Sequence, residues 1–71
     1  MKSKKELLGL RIKEFREKRK LTQDKLAETV GIDPKHLSRI ENGSRNPSIK
    51  LLQRLAAGMN MDLRIAFVPR V

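Results

Sequence analysis

The chain has 71 residues, a length that permits one small domain at most. It has no cysteine and one histidine, which excludes a disulfide framework, a zinc finger, any other metal site and a nucleophilic catalytic centre. Seventeen Lys and Arg residues against eight acidic residues give a net charge of +9, which favours a polyanionic partner. We therefore expect a binding protein that is not an enzyme and uses neither a metal nor a cofactor.

The basic amino terminus lacks the pattern of a secretory signal, because Glu6 and Arg11 interrupt its leucines. No stretch approaches the roughly 20 apolar residues that a membrane-spanning helix needs. A basic helix for a membrane surface would carry aromatic anchors, and the chain has two Phe, no Tyr and no Trp. We expect a soluble, cytoplasmic protein without a membrane partner.

A first helix is predicted from about Lys4 to Arg19 or Lys20. Ser3 and Glu6 have the spacing of a capping box at its start, and Gly9 is a mild weakness inside it. The basic run at its end, Lys18 to Lys20, is either a solvated helix end, which the helix dipole favours, or a contact to phosphate. The apolar residues of the expected buried face are Leu8, Ile12 and Phe15.

Two short helices with a tight turn between them are predicted over Thr22 to Gly43. Thr22 and Asp33 are good N-cap residues, and Pro34 suits the first helical position. Gly31 ends the first helix of the pair, where a positive φ is wanted, and Gly43 ends the second. A hydrophobic staple brackets each start, formed by Leu21 with Leu26 and by Ile32 with Leu37. This is the layout of a DNA-binding helix-turn-helix.

A fourth helix is predicted to open at Pro47 and Ser48 and to end at Gly58. Its expected buried face consists of Ile49, Leu52, Leu55 and Ala56. Four short amphipathic helices joined by loops of a few residues predict a compact all-α bundle that contains the helix-turn-helix.

The last segment, Asp62 to Val68, changes to a period of two, with Leu63, Ile65 and Phe67 on one side. Pro69 ends the pattern. Because a lone strand leaves its backbone groups unpaired, we expect residues 61–68 to form a β-strand that pairs with the same strand of a second chain. The alternatives are an irregular tail lying on the helices and a fifth helix. The expected organisation is one helix-turn-helix domain over residues 1–71, with 61–68 as a dimerisation strand.

One face of the predicted third helix has the side chains to contact DNA bases. Leu37 and Ile40 point inward, while Lys35, Ser38, Arg39 and Asn42 fall on the opposite arc. Lys and Arg can reach guanine O6 and N7, and Ser can reach base edges. His36 is either a partly packed residue at the rim or a base contact, and Pro34 offers only an apolar contact, for example to a thymine methyl group. The alternative for the whole face is an ordinary solvated helix surface, which the charge of +9 disfavours.

A second set of residues is expected to hold the DNA backbone. Free N–H groups at the start of the second helix, after Thr22, bind a phosphate, and the Gln23 side chain adds to this clamp. Such contacts fix the register and carry little sequence information. The remaining expected backbone contacts are Asn42, Arg45 and Arg19.

Several blocks of the sequence stand in the register of a known family: Thr22-Gln23, Leu26-Ala27, Gly31, Ile40-Glu41-Asn42-Gly43 and Pro47. Over about Leu8 to Ala57 the chain strongly resembles the phage repressor and Cro family of helix-turn-helix domains, often called Xre-like.

The resemblance implies a role for individual residues. Gln23 and Asn42 would contact phosphates. Lys35 and Arg39 would contact bases, with Ser38 beside them. Arg16 and Glu41 would form a structural ion pair. The residues after the turn, Asp33 to His36, depart from the small polar residues of many members, so the resemblance implies no operator sequence.

The leading interpretation is a homodimeric repressor that binds a palindromic operator in double-stranded DNA and regulates its own operon. The expected terminal strand resembles the HipB-like antitoxins, which gives a second interpretation: an antitoxin that also binds a HipA-like kinase toxin. A non-specific polyanion or RNA binder is less favoured, because the chain lacks aromatic residues on which single-stranded bases could stack.

Overall fold

The computed structural model describes residues 1–70, and Val71 lies outside the described part. Four helices follow one another: α1 (Lys4–Lys18), α2 (Gln23–Val30), α3 (Pro34–Glu41) and α4 (Ile49–Gly58). The first helix ends slightly before the predicted boundary, because Lys20 takes a left-handed φ of 56° and turns the chain towards α2. Within residues 1–70 no helix is long and apolar enough to cross a membrane.

A side-chain cap starts every helix, and the sequence predicts the caps of the first three. The Ser3 hydroxyl accepts from the Glu6 N–H at 3.2 Å, and the Ser3 N–H donates to Glu6 Oε1 at 3.0 Å, which completes the capping box. The hydrogen bond from Ser3 lowers the pKa of the Glu6 carboxyl. The other N-caps are Thr22, Asp33 and Ser48.

The core lies between α2, α3 and α4, with α1 packed across it. Leu26, Leu37, Ile40 and Leu55 are fully enclosed. The predicted buried face of α4 is partly wrong, because Ile49 is exposed and Leu51 is buried in its place. The sequence of α4 has two apolar stripes at helical spacing, and its packing against α2 selects the one that contains Leu51, Leu55 and Met59.

The end of α3 packs closely on the first turns of α1, and two glycines permit this approach. A Cβ atom on Gly9 would lie 2.2 Å from the Ile40 carbonyl oxygen and 2.6 Å from that of Glu41. Gly9 is therefore required for packing, although it weakens the helix locally. Gly43 has a φ of +84°, and a Cβ there would lie 2.6 Å from Glu6 Cγ. The fourth helix ends at Gly58, as the sequence predicts, with Met59 as its C-cap residue.

The predicted β-strand over residues 61–68 is wrong: residues 61–70 contain no strand. A strand needs a hydrogen-bonded neighbour, and the rest of the described chain is helix, turn or loop. Instead, Met61 and Leu63 lie half-buried against the helices, which matches the alternative of an irregular tail. Ile65 and Phe67, the other residues of the expected dimer strand, are exposed. The resemblance to the HipB-like antitoxins depended on this strand and loses its structural support.

Candidate nucleic-acid interface

The exposed face of α3 carries the basic and polar residues that the sequence predicts for it. Lys35, Arg39 and Asn42 are exposed, and Ser38 is half-buried. Leu37 and Ile40, on the other side of the helix, have no exposed surface and anchor it in the core. Within residues 1–70, the Lys35 and Arg39 side chains make no ion pair or hydrogen bond. Two long cations on a rigidly held helix are thus available to acceptors outside the chain.

The start of α3 presents a second pair of predicted residues. The Asp33 carboxylate accepts from the Lys35 N–H at 2.8 Å, which fixes the first turn. Pro34, at the first helical position, is exposed beside Lys35. His36 is half-buried at the rim of the exposed face, a position that is compatible with either of its two predicted roles.

The loop after α3 is held by hydrogen bonds from its own residues. The Ser44 N–H donates to Asn42 Oδ1 at 2.9 Å. The Ser44 hydroxyl and the Arg45 N–H both donate to the Arg39 carbonyl oxygen, each at 3.2 Å. Asn42 and the exposed Arg45 are therefore placed at the carboxyl end of the same α3 face.

A buried ion pair joins α1 to α3 directly behind this face. Arg16 Nε donates to Glu41 Oε2 at 2.7 Å, and Arg16 Nη2 donates to Glu41 Oε1 at 3.0 Å. Arg16 Nη1 also donates to the Leu21 carbonyl oxygen at 2.7 Å. The hydrogen bonds to Glu41 raise the pKa of the Arg16 guanidinium, which therefore stays charged across the ordinary pH range. The structure thus uses Glu41 to hold the scaffold.

Gln23 is tied into the same network. Its Nε2 donates to Glu41 Oε1 at 2.9 Å, and the residue is half-buried. The sequence analysis gave Gln23 only a phosphate contact and missed this second partner. Thr22, before it, uses its side-chain oxygen to accept from the Lys25 N–H at 3.0 Å.

Arg19 lies apart from the other predicted backbone contacts. Its Nε donates to the Met59 carbonyl oxygen, which belongs to the cap of α4. A guanidinium at a helix carboxyl end satisfies carbonyl groups that the helix leaves free. Arg54 does the same for the Val30 carbonyl oxygen at the end of α2.

Lys13 is the residue of this region that the sequence analysis did not select. With Gln23, Ser38, Glu41 and Asn42 it lines a notch of about 210 Å³ between α1, α2 and α3. A signal for this placement exists in the sequence, because Lys13 lies three residues before Arg16 and therefore on the same side of α1.

A separate apolar groove runs between α1, α4 and the tail. Its volume is about 130 Å³, and none of its lining residues lines the notch. The helical part of its wall consists of Leu8, Arg11, Ile12, Phe15, Leu52, Leu55, Ala56 and Met59. The groove and the α3 face are thus two distinct surfaces. Within the described part of the chain, no group of three or more His, Asp or Glu side chains could hold a metal ion.

The helix-turn-helix family model HTH_3 matches residues 12–65, which include α2, α3 and α4. The chain is 41% identical over 58 residues to the ImmF control region 10 kDa protein of Bacillus phage phi105, covering 82% of the chain and 64% of that protein. It is 38% identical over 56 residues to the immunity repressor protein of the same phage, covering 79% of the chain and 39% of the repressor. The chain thus spans less than two thirds of either relative.

Among solved structures, the chain is similar to SinR, the master regulator for biofilm formation, in complex with DNA. The TM-score is 0.73 at 34% identity, and the match covers 78% of this chain and 89% of that one.

Proposed function

Because the chain belongs to the helix-turn-helix family of DNA-binding transcriptional regulators, we propose that it is a sequence-specific repressor of transcription. It acts as a homodimer on a palindromic operator in double-stranded DNA and regulates its own operon. The observation that carries this proposal is the exposed face of α3, where Lys35, Ser38 and Arg39 project away from the core. The net charge of +9 supplies the attraction to duplex DNA.

In this proposal α3 enters the major groove. Lys35 and Arg39 donate to guanine O6 and N7, and Ser38 contacts a base edge beside them. Pro34 and His36 lie at the start of the helix, where Pro34 can contact a thymine methyl group. These five residues determine which sequence is preferred.

The DNA backbone is held at the two ends of this face. Asn42 and Arg45 contact phosphates after α3, and the N-terminal turn of α2 at Thr22 and Gln23 contacts a phosphate on the other side. We leave Arg19 out of this set, because its guanidinium is engaged at the end of α4.

A second copy of the chain is proposed to cover the apolar groove. The tail continues directly from the groove and exposes Ile65, Phe67 and Val68 in the single chain. A twofold pairing of two copies removes both the groove and the tail residues from water, with no β-strand required. Since none of the residues that line the groove belongs to α3, both α3 helices stay free to enter major grooves about 34 Å apart.

We do not extend the proposal to neutralisation of a kinase-like toxin, because its support was the terminal strand that the structure lacks. A repressor of this kind is expected to work in the cytoplasm, without enzymatic activity and without a cofactor.

The test begins with a duplex selected from a random pool by repeated binding to the protein. Arg39→Ala is expected to cost about 1–3 kcal/mol of affinity for this duplex and little for random duplex, because it removes a contact to a base. Fluorescence anisotropy at physiological salt measures both affinities.

The matched control is Lys50→Ala, which removes an exposed cation from α4 and should lower both affinities equally. Specific repression would be ruled out if the unaltered protein bound its best selected duplex no more tightly than random duplex.

A further inference from the structure

The apolar groove between α1, α4 and the tail has the size of a single aromatic ring. Its volume is about 130 Å³. An apolar cavity of roughly 150 Å³ inside another protein is known to stay dry and to bind benzene. The side chains around the groove include Leu8, Phe15, Leu52 and Met59, which are all apolar. A phenyl group therefore fits this space in both size and chemistry.

The chain has one phenyl group that its own fold leaves in water. It contains two Phe residues, no Tyr and no Trp. Phe15 is half-buried and forms part of the groove wall. Phe67, in the tail, is 102% exposed. Because Phe buries about 150–250 Å² when it is enclosed, Phe67 is the residue of the tail that gains most from a partner surface.

The sequence of the tail keeps Phe67 away from the groove of its own chain. Leu63 lines that groove, and Phe67 follows only four residues later. To enter the same groove, the chain would have to reverse within residues 64–66, which contain no Gly, Pro, Asn, Asp or Ser for a tight turn. Pro69 also disfavours helical backbone at Val68 and so keeps the end of the tail extended. The groove of a second chain can accept the ring without such a reversal.

We propose that Phe67 of each chain inserts into the apolar groove of a second copy, so that two chains exchange their tails about a twofold axis. The proposal deepens the homodimer proposed above and rests on it. Phe67 then packs beside Phe15 of the other copy, in the offset or edge-to-face contact that aromatic pairs favour. The contact uses side chains and needs no pairing of strands. Since no groove residue belongs to α3, the DNA-binding face stays open.

The first experiment compares Phe67→Ala with Val68→Ala. Both residues are exposed and apolar, but alternation along an extended tail places Val68 on the opposite side. Sedimentation equilibrium of the full chain measures the dimer constant, and thermal unfolding checks the fold. We expect Phe67→Ala to weaken the dimer about a hundredfold or more, because two phenyl rings per dimer lose their burial. Val68→Ala should leave the constant almost unchanged.

The second experiment identifies which chain holds the tail. Because the chain has no cysteine, Ala66→Cys and Arg11→Cys each introduce a single thiol, the first beside Phe67 and the second at the groove. The two variants are mixed and treated with a short cross-linker that joins two thiols. We expect the main product to contain one chain of each variant. The control mixes Ala66→Cys with Ile49→Cys, whose thiol lies outside the groove and should give little product.

Tail exchange is overturned if the protein is monomeric, if Phe67→Ala leaves the dimer constant unchanged, or if Arg11→Cys cross-links mainly to itself, since the two grooves would then face each other directly. Neither experiment includes DNA, so its outcome is separate from that of the repressor proposal. A protein that exchanges tails but binds random duplex as tightly as its selected duplex would contradict specific repression alone. A specific repressor whose dimer does not depend on Phe67 would contradict tail exchange alone.

Discussion

At the scale of single residues, breaking the ion pair of Arg16 and Glu41 is expected to cost more stability than breaking the exposed ion pair of α1. Both side chains are buried, and the carboxylate accepts from Arg16 and Gln23. Glu41→Ala leaves a buried guanidinium without its partner, which should destabilise the protein by about 3–5 kcal/mol. Urea unfolding followed by circular dichroism measures this loss.

The chain offers a matched control for this prediction. Glu14 lies 3.7 Å from Arg11 on the exposed side of α1, where water screens the pair. Glu14→Ala should therefore cost less than about 1 kcal/mol. If both variants lost the same stability, the buried pair would have no special role in holding α1 to α3.

The direction in which each side chain of α3 points was predictable from the sequence. The residues of α1 and α2 that lie next to α3 were only partly predictable. The inward positions of Leu37 and Ile40 fix the orientation of Lys35 and Arg39 by helix geometry alone. The bond between Gln23 and Glu41 was missed, because a hydrogen bond between residues 18 apart depends on how α2 and α3 pack. Lys13 was missed for the same reason, although its spacing from Arg16 pointed to the correct side of α1.

At the scale of helices, the contact between α1 and the end of α3 is set by Gly9. Gly9→Ala places a Cβ 2.2 Å from the Ile40 carbonyl oxygen, which belongs to the backbone and cannot turn aside. We expect a loss of about 1–3 kcal/mol, the usual cost of overpacking. In an open helix the same change would instead stabilise by roughly 0.5–1 kcal/mol. Thermal denaturation shows whether Gly9→Ala lowers the melting temperature, as we expect, or raises it.

Lys5→Ala, at an exposed site of α1, is the control and should leave the melting temperature almost unchanged. A Gly9→Ala variant as stable as the unaltered protein would mean that α1 and α3 do not approach as closely as the structure shows.

The helix starts were predictable because each is encoded by a few neighbouring residues. The predicted capping hydrogen bonds are present at three helix starts: Ser3 and Glu6 cap α1, Thr22 caps α2 and Asp33 caps α3. The tail was not predictable in this way. A period of two describes one segment, whereas a strand also needs a neighbour, which residues 1–70 do not provide for Leu63 and Ile65.

At the scale of the whole molecule, a small domain that exposes an apolar groove and an apolar tail is expected to self-associate. Leu52 lines this groove and is half-buried in the single chain, whereas Ile49, one turn earlier on α4, is exposed and does not line it. The two positions therefore separate the proposed dimer surface from the rest of α4.

Leu52→Lys places a charge where the second copy should bury an aliphatic side chain, and we expect it to weaken the dimer about tenfold or more. Sedimentation equilibrium over a range of concentrations measures this constant, and thermal unfolding checks the fold. Binding to a duplex with two half-sites should weaken in parallel, while binding to a single half-site should not, since the groove and the notch share no residue.

The control is Ile49→Lys, which should change neither the dimer constant nor the affinity for the duplex with two half-sites. A protein that stayed monomeric while it bound the two half-sites tightly would show that this groove has another occupant and that each α3 binds DNA independently of a second chain.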